Sequence, residues 1–258
     1  MASKKHRVDF NAYYREIFPE RWEDLTHALR EESRPVAFTE GLVKPYYLDA
    51  ASLIPVEALE VPGAGTLLDL CAAPGGKSLC IAAAMDPEAR LTANDRSASR
   101  RGRLKRVLDE HLDAALRERI TVTGHDAARW GLYEESRYDR ILADVPCSSE
   151  RHLILDPKYL KEWSPSRSKR LAVQAYAILA AALTALKPGG ILVYSTCALS
   201  PLENDQVVAK LLKRRGDEFR LLDGAEGEPT EYGRHILPDR SGGIGPIYYA
   251  KLSKIGSP

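Results

Sequence analysis

The chain has 258 residues, 28% of them charged and 44% hydrophobic, with 18 Gly and 16 Pro. That composition excludes a disordered tail and a fibrous repeat, and it leaves room for one large folded domain with a short appendage. Lys plus Arg number 37 against 36 Asp plus Glu, a net charge of +1, so no global field draws the protein to nucleic acid or an anionic membrane and any basic patch is local.

Residues 1–7 are basic but run into Asp9 and Glu16 without a hydrophobic stretch, and no apolar run reaches membrane-spanning length. The four cysteines, Cys71, Cys80, Cys147 and Cys197, form no CxxC pair, which argues against a zinc knuckle, a thioredoxin-like motif or a disulfide framework. A soluble cytoplasmic protein with free thiols, no metal and no membrane contact is the expectation. Residues 1–51, rich in aromatics and Pro, are expected to form a helical extension with one helix near 11–30. The main domain is expected over 52–258.

From Ser52 onward, short apolar runs alternate with helical patterns. Strands are predicted at 66–70, 91–93, 120–123, 140–143 and 191–194, with a last one within 246–252. A helix starts at Ser97 and places Leu104, Leu108 and Leu112 four apart on its buried face, with Arg101, Lys105 and Arg106 mostly outside. Another starts at Ser164 as N-cap, with Pro165 at its first position, and stops at Lys187-Pro188-Gly189-Gly190. The alternation is that of a mostly parallel α/β sheet.

In such a sheet the ligand sits beyond the carboxyl ends of the strands, so the residues just after each apolar run are the informative ones. The first strand runs into Asp69-Leu70-Cys71-Ala72-Ala73-Pro74-Gly75-Gly76-Lys77-Ser78, a Gly-rich turn opening a helix. Two glycines let backbone approach a ligand, and the helix start offers free N–H groups. Gly76-Lys77-Ser78 matches the end of a phosphate-binding P-loop, but that motif needs Gly where Cys71 stands, and no GxGxxG fingerprint occurs. A turn suited to a nucleoside without a polyphosphate remains, beside the plain alternative of a structural turn. Asp95, ending the second strand, can accept both ribose hydroxyls of an adenosine-type ligand, although a capping or solvated Asp has the same signature. Arg100 shares the inner helix face with Leu104 and can reach the same ligand, and Asp126 after the third strand can bind an adenine amino group. The fourth strand ends in Asp144-Val145-Pro146-Cys147 and the fifth in Ser195-Thr196-Cys197. A single free cysteine is usually a small core hydrophobe, the reading given to Cys80. Two at one sheet edge, one beside an acid, point to chemistry.

These three motifs together resemble those of the RsmB/NOP2/Sun family of RNA cytosine-5 methyltransferases, which use S-adenosylmethionine. The resemblance spans residues 46–252 and includes Tyr47-Leu-Asp-Ala-Ala-Ser52 and Pro201-Leu-Glu-Asn204. Val145, Ala93-Asn94-Asp95 and Glu150-Arg151-His152 look most like the mitochondrial ribosomal-RNA branch. The resemblance implies a class I methyltransferase fold, Rossmann-like, with a mostly parallel seven-stranded sheet in an α/β/α sandwich. It implies the cofactor along Cys71, Ala72, Ala73, Pro74, Gly75, Gly76 and Lys77, with Asp95, Arg100, Asp126 and Asp144. By similarity Cys197 is the nucleophile, Cys147 assists product release, Asp144 holds the cytosine edge and Lys77 positions and balances charge. The DNA cytosine-5 methyltransferases use the Pro-Cys cysteine instead, which would make Cys147 the attacking thiol.

The implied substrate is RNA, ribosomal RNA first and transfer RNA second, with an RNA-binding assembly factor of little activity as a further alternative. No dedicated RNA-binding domain like that of several members is recognised. RNA affinity is therefore expected from a protein partner or from two local basic groups, Arg96, Arg100, Arg101, Arg103, Lys105 and Arg106, then Lys158, Lys161, Arg167, Lys169 and Arg170. Either group could instead be a solvated helix face. A monomer is the default for this architecture.

Overall fold

The computed structural model describes residues 8–32, 35–161 and 163–256, so the basic lead 1–7 lies outside the described residues. Two helices open it, α1 (Phe10–Ile17) and α2 (Trp22–Arg30), where the sequence predicted one. Pro19 is the reason. It lacks an N–H and disfavours helical geometry at Phe18, which takes φ −126° and ψ 65° and ends α1. Asp9 caps α1 by accepting from the Ala12 N–H at 2.8 Å. The segment expected to be helical also holds an antiparallel ribbon, β1 (Val36–Phe38) against β2 (Tyr46–Leu48), whose three-residue strands are too short to show alternation.

The core follows as α3 (Ile54–Ala58), β3 (Thr66–Asp69), α4 (Gly76–Ala83), β4 (Arg90–Asn94), α5 (Ala98–His111), α6 (Ala114–Glu118), β5 (Ile120–Thr123) and β6 (Tyr138–Asp144). After it come α7 (Glu150–Leu155), α8 (Pro157–Leu160), α9 (Pro165–Ala185), β7 (Leu186–Thr196), α10 (Asp205–Arg215), β8 (Phe219–Leu222), β9 (Glu228–Pro229), β10 (Arg234–Ile236) and β11 (Ile247–Lys254). The sheet order is β5-β4-β3-β6-β7-β11, with β8 and β10 sharing the outer edge of β11 and β9 beyond β10. Strands β3 to β7 are parallel and β11 runs antiparallel to β7. The expected class I methyltransferase sandwich is present, its seven strands extended to nine by the short β9 and β10.

Alternation along each strand sorts the core into two layers, because successive side chains leave opposite faces of the sheet. Leu67, Leu142 and Val193 meet Leu79, Leu104 and Leu108 of α4 and α5 on one face. Leu68, Ile141, Ala143, Leu192 and Tyr194 meet Ile178, Leu179 and Leu183 of α9 on the other. Ser164 stands at the N-cap of α9, yet its hydroxyl lies 2.9 Å from that of Ser166 and caps no N–H. Strand β7 is longer than predicted, since Leu186 already pairs with Tyr138 before the chain loops out and re-enters at Ile191 opposite Arg140.

A third apolar cluster fixes the first two helices. Phe10, Tyr14, Trp22, Leu25 and Leu29 pack with Leu153 of α7, Trp163, Leu199 and Leu237. Tyr14 and Trp22 stack at 5.2 Å, and Phe10 meets Trp163 edge-on at 5.0 Å. Truncating either Phe10 or Trp22 to Ala is expected to cost about 3–5 kcal/mol. This packing sets the N-terminal helices against the loops that leave β6 and β7.

Candidate active site

The register of the parallel strands brings their ends into one line. Asp69 lies opposite Ala93 and Leu142, Asn94 opposite Thr123, and Asp144 opposite Ser195. The turn after β3 is glycine-dependent at two places. Gly75 adopts φ +124°, which L side chains rarely take, and a Cβ on Gly76 would sit 2.9 Å from the Tyr46 ring.

One side chain locks three of the strand ends. The buried Asn94 amide donates to the carbonyls of Leu70 at 3.0 Å and His125 at 3.1 Å, while its oxygen accepts from the His125 N–H at 2.8 Å and the Thr123 hydroxyl at 3.0 Å. Beside it opens a cavity of about 330 Å³ lined by Cys71, Asp95, Arg100, His125, Asp126 and Pro146, among others. Asp95 is 3% exposed, and one of its oxygens accepts from the Ser97 N–H at 2.9 Å. Its second oxygen is buried without a hydrogen bond and has only the Arg100 guanidinium beside it, at 3.3 Å. A buried carboxylate oxygen that makes no hydrogen bond at a cavity wall fits a ligand that brings hydroxyls, so these residues suit the adenosyl group of S-adenosylmethionine. Asp126 is exposed and already receives the Ala128 N–H at 3.1 Å, which leaves one oxygen for a ligand.

Arg100, half-exposed, lines both cavities and donates to the Ala73 carbonyl at 2.5 Å. Arg101 does not lie outside as a free cation. It donates to the carbonyls of Asp95 and Arg96, both at 2.8 Å, and so braces the strand end. Arg103, Lys105 and Arg106 are exposed along α5, and Lys158, Lys161, Lys169 and Arg170 are exposed around α8 and the start of α9, with Arg167 half-buried.

A second cavity of about 550 Å³ shares Cys71, Arg100 and Pro146 with the first and is lined also by Lys77, Asp144, Cys147, Ser149 and Cys197. Here the two sequence-distant cysteines meet, their sulfurs 2.9 Å apart and both free. Asp144 accepts from the Lys77 ammonium at 2.9 Å and from the Ser195 hydroxyl at 2.8 Å. Both carboxylate oxygens are therefore acceptors, where the cytosine N3 would call for a protonated carboxyl as donor. Burial pulls the Lys77 ammonium down, but the Asp144 carboxylate outweighs it and holds the lysine above its ordinary value.

The two thiols titrate in opposite directions. The hydrogen bond from Cys147 pulls Cys197 down, aided by Ser149 and opposed by burial, while the same bond and burial push Cys147 well up. Cys197 is thus the more acidic thiol of the pair. Ser149 takes a left-handed conformation, φ +55°, at the start of α7, a strain that such sites commonly carry. Burial pushes the thiols of Cys71 and Cys80 up, which suits packing and not attack.

Several other groups at the site were assigned no role from the sequence. Asp69, 1% exposed, accepts from the Ser78 hydroxyl at 2.6 Å and is pushed up to about 7 by burial. It sat inside the Gly-rich motif and could have been flagged as a buried strand-end acid. Tyr46 of β2 lines the cleft over the turn. Arg151 donates to the carbonyls of Gly245 at 2.5 Å and Glu31 at 2.8 Å, joining the cavity wall to the end of α2. Arg151 stands in the Glu150-Arg151-His152 motif, which gave it no role of its own. Among the described residues no group of His, Cys, Asp and Glu could hold a metal ion, and no helix is long and apolar enough to cross a membrane.

The chain is similar to the 5-cytosine rRNA methyltransferase NSUN4 of Mus musculus, 37% identical over 235 residues that cover 83% of this chain and 61% of the relative. It is 36% identical over 231 residues to the tRNA (cytosine(34)-C(5))-methyltransferase, mitochondrial, of Danio rerio, covering 83% and 62%. The chain therefore spans about three fifths of the length of these relatives. That second relative overturns the cytoplasmic expectation: its name places it in mitochondria, and free thiols suit either compartment. Among solved structures, NSun6 from Pyrococcus horikoshii with SFG superimposes with a TM-score of 0.70 at 25% identity, covering 88% of this chain and 57% of that one. A model of the family described as 16S rRNA methyltransferase RsmB/F matches residues 56–253. With that match over most of its length and a fold of the S-adenosylmethionine-dependent methyltransferases, the chain belongs to the RsmB/F methyltransferase family.

Proposed function

We propose that the protein transfers a methyl group from S-adenosylmethionine to C5 of a cytosine in RNA, with ribosomal RNA as the substrate class and Cys197 as the nucleophile. The observation that carries this reading is the thiol pair: two cysteines 2.9 Å apart, one pulled down and its neighbour pushed up, beside the Lys77–Asp144 ion pair. Cytosine C5 is a poor nucleophile until a thiolate adds to C6. Cys197 Sγ forms that C–S bond, and the ring electron pair is displaced toward N3 and the exocyclic edge. Asp144 accepts from the cytosine amino group while the Lys77 ammonium beside it offsets the negative charge gathering on the ring. S-adenosylmethionine supplies the methyl group that C5 takes up. Water in the open cavity then takes the C5 proton, the C5–H electron pair re-forms the C5=C6 double bond, and the C6–S bond breaks with its electron pair returning to Cys197. Cys147, freed from its hydrogen bond while Cys197 is bound to C6, assists this release.

The target base must be unstacked to reach thiols at the floor of the cavity. The exposed cations of α5 and α8 would meet phosphates. Transfer RNA is the second reading, supported by the similarity to a tRNA methyltransferase. The test is transfer of labelled methyl from S-adenosylmethionine to unmodified ribosomal and transfer RNA, with nucleoside analysis of the product. Label is expected in 5-methylcytidine, absent with Cys197→Ala and replaced by an accumulating protein–RNA adduct with Cys147→Ala. Retained turnover in Cys197→Ala would transfer the nucleophilic role to Cys147, and no label in any RNA despite cofactor binding would favour an assembly factor.

A further inference from the structure

Two carboxylates lie buried directly beneath the thiol pair, and the reaction as written uses neither. Glu150 is 0% exposed and Glu203 is 1% exposed. Each holds the backbone of a cysteine loop. Glu203 accepts the N–H of Ser148, the residue after Cys147, at 2.8 Å. Glu150 accepts the N–H of Leu199, two residues after Cys197, at 2.8 Å, and also the Ser148 hydroxyl. Its first oxygen receives in addition the hydroxyl of the buried Tyr14, at 2.5 Å, from helix α1 at the far end of the chain. The loop after Cys197 is closed further by Asn204, which accepts from the Thr196 hydroxyl at 2.6 Å and donates to the Ala198 carbonyl at 2.9 Å.

We infer that Glu150 and Glu203 are positioning residues that hold Cys147 and Cys197 at hydrogen-bonding distance, and that Tyr14 completes this clamp, which makes helix α1 part of the catalytic apparatus. The physical case is one of cost. A buried carboxylate pair is expensive, and chains retain one where its directed acceptors fix a geometry that apolar packing cannot. Hydrophobic residues of equal volume could fill the space but would leave the Ser148 and Leu199 N–H groups without acceptors. The strain at Ser149, wedged between Ser148 and Glu150, is what such a hold would sustain. Burial first, and the Glu150 charge second, push Glu203 up to about 7, so near neutrality the pair shares less than two full charges.

The effect of holding and the effect of charge have opposite signs, which makes the inference testable without any substrate. The charge of Glu150 pushes both thiols up, as does Asp144 for Cys197 and Glu203 for Cys147, while Lys77 is the cation facing Cys197. If the acids acted through charge alone, Glu150→Gln would make Cys197 titrate lower still. If they act by holding the loops, the thiols drift apart and the two titrations converge toward the ordinary cysteine value of about 8.5.

The experiment is the pH profile of iodoacetamide alkylation, read for each cysteine by peptide mass, in wild type, Tyr14→Phe, Glu150→Gln and Glu203→Gln, with thermal melts alongside. Tyr14→Phe keeps the ring in its aromatic cluster and removes one hydroxyl. It is expected to move the Cys197 midpoint upward and to lower methyl transfer about tenfold through kcat, with KM for RNA unchanged. Glu203→Gln, which can still accept from Ser148, is expected to retain most of the separation between the two midpoints. Unchanged profiles in both Tyr14→Phe and Glu150→Gln, or a downward shift of Cys197 in Glu150→Gln, would overturn the inference. The inference rests on the thiol-based reaction proposed above, but the alkylation profile belongs to the protein alone. A converging profile with no methyl transfer by wild type would therefore retire the reaction and keep the clamp.

Discussion

The two halves of the cleft are built from different materials. The wall beneath β3, β4 and β5 is built largely on backbone, small residues and one amide, with Asp95 and Asp126 as its acceptors: Asn94 ties the strand ends together, and Gly75 and Gly76 permit the turn. The wall beneath β6 and β7 is made of charge and sulfur: Lys77 against Asp144, Cys147 against Cys197, Glu150 and Glu203 below. The first wall needs only a shape and a few acceptors to hold a nucleoside. The second must keep reactive groups at fixed separations and protonation states, which takes buried partners drawn from remote parts of the chain. A ligand-binding surface can be local in sequence, whereas a reactive centre of this kind is assembled from everywhere.

The comparison can be broken from either side, and the largest effect belongs to the charged wall. Lys77→Met should lower methyl transfer by about 100-fold or more, since it removes the cation that offsets charge on the ring. Cofactor affinity measured by calorimetry should change little, because Asp95 and Arg100, the residues that suit the adenosyl group, line the other wall. The converse substitution, Asp95→Ala, should weaken cofactor binding by roughly 10- to 100-fold through loss of its hydrogen bonds to ribose. The alkylation profile of Cys197 should stay as in wild type, and a shift there would show the walls to be coupled through Cys71 and Arg100.

Smaller effects sharpen the contrast. Charge reversal at Lys105 and Arg106 together should weaken RNA binding by about tenfold at moderate salt and flatten its salt dependence, leaving cofactor affinity intact. Equal losses on both would mean that α5 supports the cofactor wall and not the RNA. The smallest effect is one of stability against pH. Burial raises Glu203 from 4.5 and Asp69 from 3.8 to about 7, so across that window the folded protein binds more protons than the unfolded chain. Stability contributed by these two acids is present below their unfolded values and is lost as pH rises toward 7. Burial lowers His235 from 6.5 to about 4, and its contribution is lost as pH falls through that range. Glu203→Gln should therefore reduce the drop in Tm between about pH 5 and 7.5 while leaving the share due to Asp69.

How legible these features were follows the same division. The strands, the Gly-rich turn, the long helix α9 and the line of residues at the strand ends could be read directly, because periodicity and turn chemistry are local. The split of the first helix at Pro19 was visible in principle, as proline leaves its mark on the residue before it. The ribbon β1–β2 was not, since three residues carry no period. Asp69 and Arg100 lay in readable motifs, but the bracing role of Arg101 depended on carbonyls presented by the end of β4.

The sequence by itself determined the α/β alternation, the residues that end each strand and the presence of two cysteines at one sheet edge, because hydrophobic period and local turns are properties of neighbouring residues. Only the tertiary structure decided that those cysteines touch, that Cys197 is pulled down while Cys147 is pushed up, and that Tyr14, Glu150 and Glu203 lie beneath them. Proton affinity depends on burial and on charges within a few ångströms, and such neighbours are chosen by packing across 136 residues of chain in the case of Tyr14 and Glu150.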